Sequence, residues 1–342
     1  MFTTNIQAFK QLGQNLANPQ WVDTIFGEAI ERQYRENSWF TPEFCRYALS
    51  TLGQMLVPEA LDAYYARYKD IAPEEDPRHT IAVISNGNTP LSDFHDFFSI
   101  LVSGNDYLGK LSAQDKYLLP VLAQALIDIE PQFAERISFV EKIIDFNAVI
   151  ATFSDNSNNY FEYYFKKYPH ILRKSRNSVA VLNGTETEEE LRRLADDIYL
   201  YFGLGSRSIS KLFVPKEYDF APFLQILTQE SQPIALHHQF NSYLEYQKAV
   251  HLMNQIPYKD AGTFLLVENQ NYASPVGMIY YEFYDDIKAV NHRLETDSEL
   301  LQCIVSHDPH IIQAKPFGSA HSPTLTDYPD GVDIFQFIIH NS

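Results

Sequence analysis

The stretch IYLYFGLGSRSISKLFVP, Ile198 to Pro215, decides how this chain is read. Its first residues continue an amphipathic helix, a Gly-rich polar turn follows, and KLFVP (211–215) is a short apolar strand. The helix has a marked start. Thr187 and Glu190 have the spacing of a capping box, in which hydroxyl and carboxylate satisfy each other's backbone amides. Leu191, Leu194, Ala195, Ile198 and Phe202 then fall on one helical face. Ahead of the helix, SVAVL (178–182) is an apolar, β-branched run that reads as a buried strand. Strand, amphipathic helix and strand at this spacing make a parallel βαβ unit. The turn before the second strand presents one hydroxyl, that of Ser206, at the junction of two elements.

The alternation continues on both sides. TIAVIS (80–85) predicts a strand, and the polar loop Asn86-Gly87-Asn88-Thr89-Pro90 follows it. An apolar helix then runs to about Val102, stopped by Gly104-Asn105. Tyr107 to Leu111 predicts the next strand, and Ser112 with Asp115 predicts a capping box opening another helix. AVIATF (148–153) predicts a strand and Asp155 to Tyr168 an aromatic-rich helix. Residues 1–75 read as helical. Thr41-Pro42-Glu43 supplies an N-cap hydroxyl, a proline at the first helical position and an acid. DIAPEEDPRH (70–79) is a polar linker. Downstream, PIALH (233–237), TFLLVE (263–268), PVGMIYYEF (275–283) and CIVS (303–306) predict strands, and EYQKAVHLMNQI (245–256) a helix. VDIFQFII, after Gly331, predicts a last strand. The sum is an α/β chain with two α/β domains, parallel-rich sheets and helices on both faces.

Composition narrows the function classes. With 342 residues the chain can bury two cores, and its 45 % hydrophobic and 20 % charged residues suit a soluble globular protein. A formal net charge of −18 argues against nucleic acid held on a diffuse basic face. Cys45 and Cys303 both sit in apolar surroundings, which predicts buried thiols. No CxxC or His/Cys cluster occurs, and His237, His238 and His251 match no common ligand spacing, so no metal is expected. MFTTNIQAFKQLG lacks the basic-then-apolar pattern of a signal peptide, and no 18-residue apolar run predicts a membrane span. A cytoplasmic location is the resulting expectation, with the sequon Asn183-Gly184-Thr185 unglycosylated.

Several longer strings carry a resemblance: NSWFTPE (37–43), NTPLSDFHDFFSILVSGN (88–105), GKLSAQD (109–115), YFEYYFKKYPHILRKSRNSVAVL (160–182), YFGLGSRSISKLFVP (201–215) and DYPDGVDIFQF (327–337). Together they resemble the acyl-CoA reductases related to the bacterial luminescence fatty-acid reductase, within the aldehyde dehydrogenase superfamily. That resemblance implies an aldehyde dehydrogenase-like fold. N-terminal helices and a dinucleotide-binding domain would occupy residues 1–204, and a catalytic domain residues 205–310. Residues 311–342 would return to the first domain or to an oligomer interface. The implied activity is NADPH-dependent reduction of an acyl-CoA or acyl thioester to an aldehyde, with acyl-CoA as substrate and a homo-oligomer as one assembly.

Site residues follow position by position. Asn88, in Asn88-Thr89-Pro90, resembles the N-x-P asparagine whose amide donates to the tetrahedral oxyanion. Lys110 matches the lysine that meets the adenosine ribose or its 2′-phosphate, and Ser112 lies in the same string, GKLS. Thr152 and Ser154 flank the place where the cofactor pyrophosphate meets helix N–H groups. Ser206 stands where the family carries its nucleophilic cysteine.

The sequence also departs from the family. Phe153 stands where a glycine is common. No acid lies near Leu172, where the general-base glutamate of aldehyde-oxidising relatives falls. That suits reduction, which must avoid an activated water. The glutamate that holds the nicotinamide ribose is not evident near Asn271 or Tyr272. At Ser206 the departure is chemical. A thiol with a pKa of about 8.5 carries some thiolate at neutral pH, whereas a serine hydroxyl needs a base. An oxygen ester is also a poorer hydride acceptor than a thioester. Two rival functions follow: a catalytically degenerate member that binds acyl-CoA or a protein partner, and a serine-based acyl transferase or thioesterase. The second requires a His or Glu within reach of Ser206. A G-x-S-x-G elbow is absent, so an α/β-hydrolase fits poorly.

Overall fold

A computed structural model describes residues 1–72, 78–153 and 164–341. The chain divides into two compact units, Met1–Ser175 with Pro323–Ser342, and Arg176–Ser322.

The first unit begins with helices α1 (Phe2–Leu16), α2 (Pro19–Glu36), α3 (Pro42–Met55) and α4 (Pro58–Tyr68). The expected start at Thr41 is realised: its hydroxyl accepts from the Phe44 amide at 3.2 Å, with Pro42 in the first turn. The sheet that follows is parallel throughout. Its strands are β1 (Thr80–Ile84), β2 (Asp106–Lys110), β3 (Ile137–Phe139), β4 (Ala148–Thr152) and β5 (His170–Arg173), in the order β3-β2-β1-β4-β5. Helix α5 (Phe94–Val102) follows β1, and α6 (Leu118–Ile129) follows β2. The chain works outward from β1 to β3, then returns to the other side of β1. Strand order therefore reverses between β1 and β4, and ligands of open α/β sheets bind at the carboxyl ends of strands at such a point. Apolar rings lock the helices together: Phe9 packs edge-on against Phe98 at 4.9 Å and Phe133 at 6.1 Å.

The second unit contains β6 (Asn177–Val181), α7 (Glu188–Tyr199), β7 (Ile209–Pro215), α8 (Ala221–Glu230), α9 (Gln232–Ala235), α10 (His238–Met253), β8 (Lys259–Asp260), β9 (Leu265–Glu268), β10 (Met278–Tyr284), α11 (Ile287–Thr296) and β11 (Leu301–Val305). Strand order is β11-β6-β7-β10-β9-β8. Among the described residues only the β8–β9 pair is antiparallel. The capping box of α7 forms in full: Thr187 accepts from the Glu190 amide at 3.3 Å, and Glu190 accepts from the Thr187 amide at 2.7 Å. A last helix, α12 (Ile334–Asn341), belongs to the first unit, where Phe335 lies 4.5 Å from the Tyr68 ring.

Four expectations need correction. PIALH is not a strand: Pro233 falls in the first turn of α9, and only Ile234 in that helix is buried. VDIFQFII is the helix α12, because Ile334, Phe335 and Ile338 bury one face at helical spacing. Ser112 and Asp115 cap no helix. They face each other across a tight turn, and α6 starts at Leu118. The expected division at 204/205 differs from the observed one at 175/176, because β6 pairs with β7 in the second sheet. Strands β3 and β5 were not foreseen, being three and four residues long with little alternation. The helix expected over 155–168 falls largely outside the described residues.

Candidate active site

In the second unit, Ser206 is presented by an abrupt end to α7. Tyr201 (φ 55°), Phe202 (φ 58°) and Gly203 (φ 73°) follow one another in the left-handed region. Each non-glycine residue there costs roughly 1–2 kcal/mol. Burial of both rings offsets the cost: Phe202 packs against His237 and Phe240 at 4.5 and 5.5 Å, and Tyr201 against His321 at 5.3 Å. The chain thereby leaves the helix axis at once. A turn closes as the Ser208 amide donates to the Gly205 carbonyl at 3.0 Å, and Ser206 stands exposed within it. The buried Ser178 hydroxyl on β6 donates to the Ser206 carbonyl at 2.8 Å, which ties the turn to the sheet. Among the described residues of this unit, no side chain hydrogen-bonds the Ser206 hydroxyl.

Three buried polar side chains, Asp197, Lys211 and His321, lie in the same unit. Asp197 of α7 accepts from the amides of Gly318 and Ala320 at 2.6 and 2.9 Å. Burial pushes its carboxyl up to about 7. The buried imidazole of His321 lies 3.3 Å from the Asp197 carbonyl, and burial lowers its pKa to about 4. Lys211 on β7 is fully buried. It donates to Glu282 at 2.9 Å and to the Asn269 carbonyl, and Arg293 donates to both Glu282 oxygens at 2.6 Å. Burial holds its amine below the usual lysine range. The sequence reading missed this cluster, although a lone lysine inside an apolar strand was its visible signal.

In the first unit, the candidates Asn88, Lys110, Ser112 and Thr152 lie at or just after the carboxyl ends of β1, β2 and β4. Ile84 pairs with Lys110 on one side of β1 and with Ala151 on the other. The loop after β1 carries Asn88, which is exposed. Lys110 ends β2 as an exposed ammonium, Ser112 follows two residues on, and Thr152 ends β4. Ser154 lies outside the described residues. Phe153 is buried, and its amide donates to the Arg173 carbonyl at 3.1 Å, so its ring is covered by protein rather than exposed at this edge. An ammonium, two hydroxyls and an amide suit a nucleotide ribose or phosphate. Next to Leu172, Arg173 grips Asp96 through two bonds of 2.6 and 2.7 Å, both side chains being buried. Among the described residues no group of His, Cys, Asp and Glu could hold a metal ion, and no helix is long and apolar enough to cross a membrane.

No protein-family model matches the sequence, and no curated protein matches it. Solved structures do. An NAD-dependent benzaldehyde dehydrogenase from Corynebacterium glutamicum superposes with a TM-score of 0.60 at 13 % identity, over 91 % of this chain and 80 % of that one. Aldehyde dehydrogenase 21 from Physcomitrella patens, in complex with succinate, gives 0.58 at 9 % identity, over 98 % and 87 %. An indole-3-acetaldehyde dehydrogenase complexed with NAD+ gives 0.59 at 14 % identity, over 92 % and 74 %. The chain has the aldehyde dehydrogenase-like fold.

Proposed function

We propose that the protein is an acyl-group oxidoreductase that reduces an acyl-CoA, or another acyl thioester, to an aldehyde with NADPH. The supporting observation is the exposed Ser206, set on a strained turn between α7 and β7 in an aldehyde dehydrogenase-like fold. The overall change adds a hydride and a proton to the thioester and releases aldehyde and CoA thiol. NADPH, when bound, supplies the hydride. Lys110 would meet its ribose or 2′-phosphate, with Ser112 two residues further along and Thr152 at the end of β4, across β1. Asn88 would donate its amide to the charge developing on the carbonyl oxygen. Ser206 would take the acyl group, and here the chain is handicapped. Its hydroxyl has no base bonded to it among the described residues of its unit, so acyl transfer to it is slow. The same observation favours acyl-CoA binding without turnover as the second reading.

The test is NADPH oxidation with a panel of acyl-CoAs, for the protein as it stands and for Ser206→Cys. A thiol of reference pKa about 8.5 is roughly a tenth ionised at pH 7.5. The cysteine form is expected to turn over at least tenfold faster. Activity in neither form, with no NADPH binding, refutes the reductase. Acyl-CoA binding without turnover in both supports the second reading.

A further inference from the structure

We propose, resting on the oxyanion role given above to Asn88, that Asp115 is the positioning residue of the Asn88 loop, which it holds through the Leu91 amide. Asn88 is exposed, and its side chain makes no hydrogen bond among the described residues, so its direction is inherited from the backbone around it. That backbone is bent at two left-handed residues, Gly87 (φ 72°) and Leu91 (φ 58°). Leucine seldom adopts this conformation, and it persists only where the surroundings impose it.

Asp115 imposes it. Its Oδ2 accepts from the Leu91 amide at 2.7 Å. The carboxylate is almost fully buried, and its Oδ1 has no hydrogen-bond partner among the described residues. Burying a carboxylate for one hydrogen bond is costly. The cost is visible as a carboxyl pushed up to about 7, first by burial and further by the nearby Asp93, against the lowering effect of the Leu91 amide.

The turn that carries Asp115 is itself anchored. Gln33, buried on α2, donates to the Gln114 carbonyl at 2.6 Å and accepts from the amides of Lys116 and Tyr117 at 3.2 and 3.4 Å. Asn37 adds a second bond to the Gln114 carbonyl at 3.1 Å. The same turn packs against the other end of the loop, where a Cβ on Gly87 would lie 2.5 Å from the Ser112 Cβ. Helix α2 thus fixes the 112–117 turn, and that turn fixes both ends of the segment that carries Asn88.

Hydrogen exchange of the full chain, followed by mass spectrometry on peptides spanning 86–92, reads the loop without any activity assay. Asp115→Ala is expected to speed exchange there tenfold or more and leave α2 peptides unchanged. Asp115→Asn, whose amide oxygen can still accept from Leu91, is expected to keep most of the protection. Asp115→Leu repeats the test at near-equal volume if the alanine form does not fold. Parent-like exchange in the folded alanine or leucine form overturns the assignment. In the Ser206→Cys background, Asp115→Ala is expected to lower kcat at least tenfold, keep the acyl-CoA KM within twofold, and add nothing to Asn88→Ala. Additive losses overturn it as well. If no form reduces acyl-CoA, the proposed function fails and the exchange result alone decides the role of Asp115.

Discussion

Gly87→Ala tests how tightly the two sheet-edge loops are packed. Gly87 has φ +72°, where an alanine costs roughly 1–2 kcal/mol. The added Cβ would also stand 2.5 Å from the Ser112 Cβ and 2.6 Å from its Oγ. Ser112 cannot retreat freely, because its Oγ accepts from the Gln114 amide at 3.2 Å and Gln114 is held by Gln33. Forced overpacking of this kind costs about 1–3 kcal/mol more. The expected loss is therefore about 2–5 kcal/mol. Two other glycines serve as references. Gly203 has a similar φ of +73°, but its Cβ would meet nothing nearer than the Ile198 carbonyl at 3.6 Å, so Gly203→Ala should lose only the roughly 1–2 kcal/mol of backbone strain. Gly27, in α2, has nothing within 4 Å of its Cβ position, so Gly27→Ala should gain about 0.5–1 kcal/mol. The assay is urea unfolding of the three variants. Gly87→Ala and Gly27→Ala lie in one unit and are compared within the same transition. A Gly87→Ala loss confined to the roughly 1–2 kcal/mol of backbone strain, measured against Gly27→Ala in the same transition, would refute the claim that Ser112 blocks the site.

Two further outcomes rest on buried charge. Asp96→Ala leaves the Arg173 guanidinium buried without its carboxylate and should cost about 3–5 kcal/mol in urea unfolding, whereas Asp96→Leu with Arg173→Met should recover most of that loss. An equal loss in the double variant would contradict the pairing argument. Asp197 gives a pH signature. Its carboxyl is raised from about 3.9 unfolded to about 7 folded, so the folded chain holds a proton that the unfolded chain has lost between those values. Its contribution to stability is thus lost as pH rises from about 4 to 7, with an upper bound of ~4 kcal/mol. Relative to the parent, Asp197→Asn should gain stability over that range. The opposite slope of His321 is common to both proteins and cancels in the difference. Parallel stability profiles would disprove the shift.

Local sequence was enough to show the α/β class, the strands at 80–84, 148–152, 178–181 and 211–215, and the capping box at Thr187 and Glu190. These depend on neighbours within a few residues, through runs of β-branched side chains and cap geometry. It also carried the placement of Asn88, Lys110 and Thr152, since each follows or ends a strand that was itself legible. Tertiary structure decided the rest. VDIFQFII is equally apolar as a strand or a helix, and packing of Phe335 against Tyr68 selects the helix. Strands β3 and β5 are too short to show a period and exist because β2 and β4 offer them edges to pair with. Asp115 looked like a helix cap because the spacing from Ser112 fits one. Its partner, the Leu91 amide, lies 24 residues away, beyond any local pattern. A hydrogen bond to a distant backbone amide leaves no mark on the sequence around either end, so only the fold shows what that carboxylate holds.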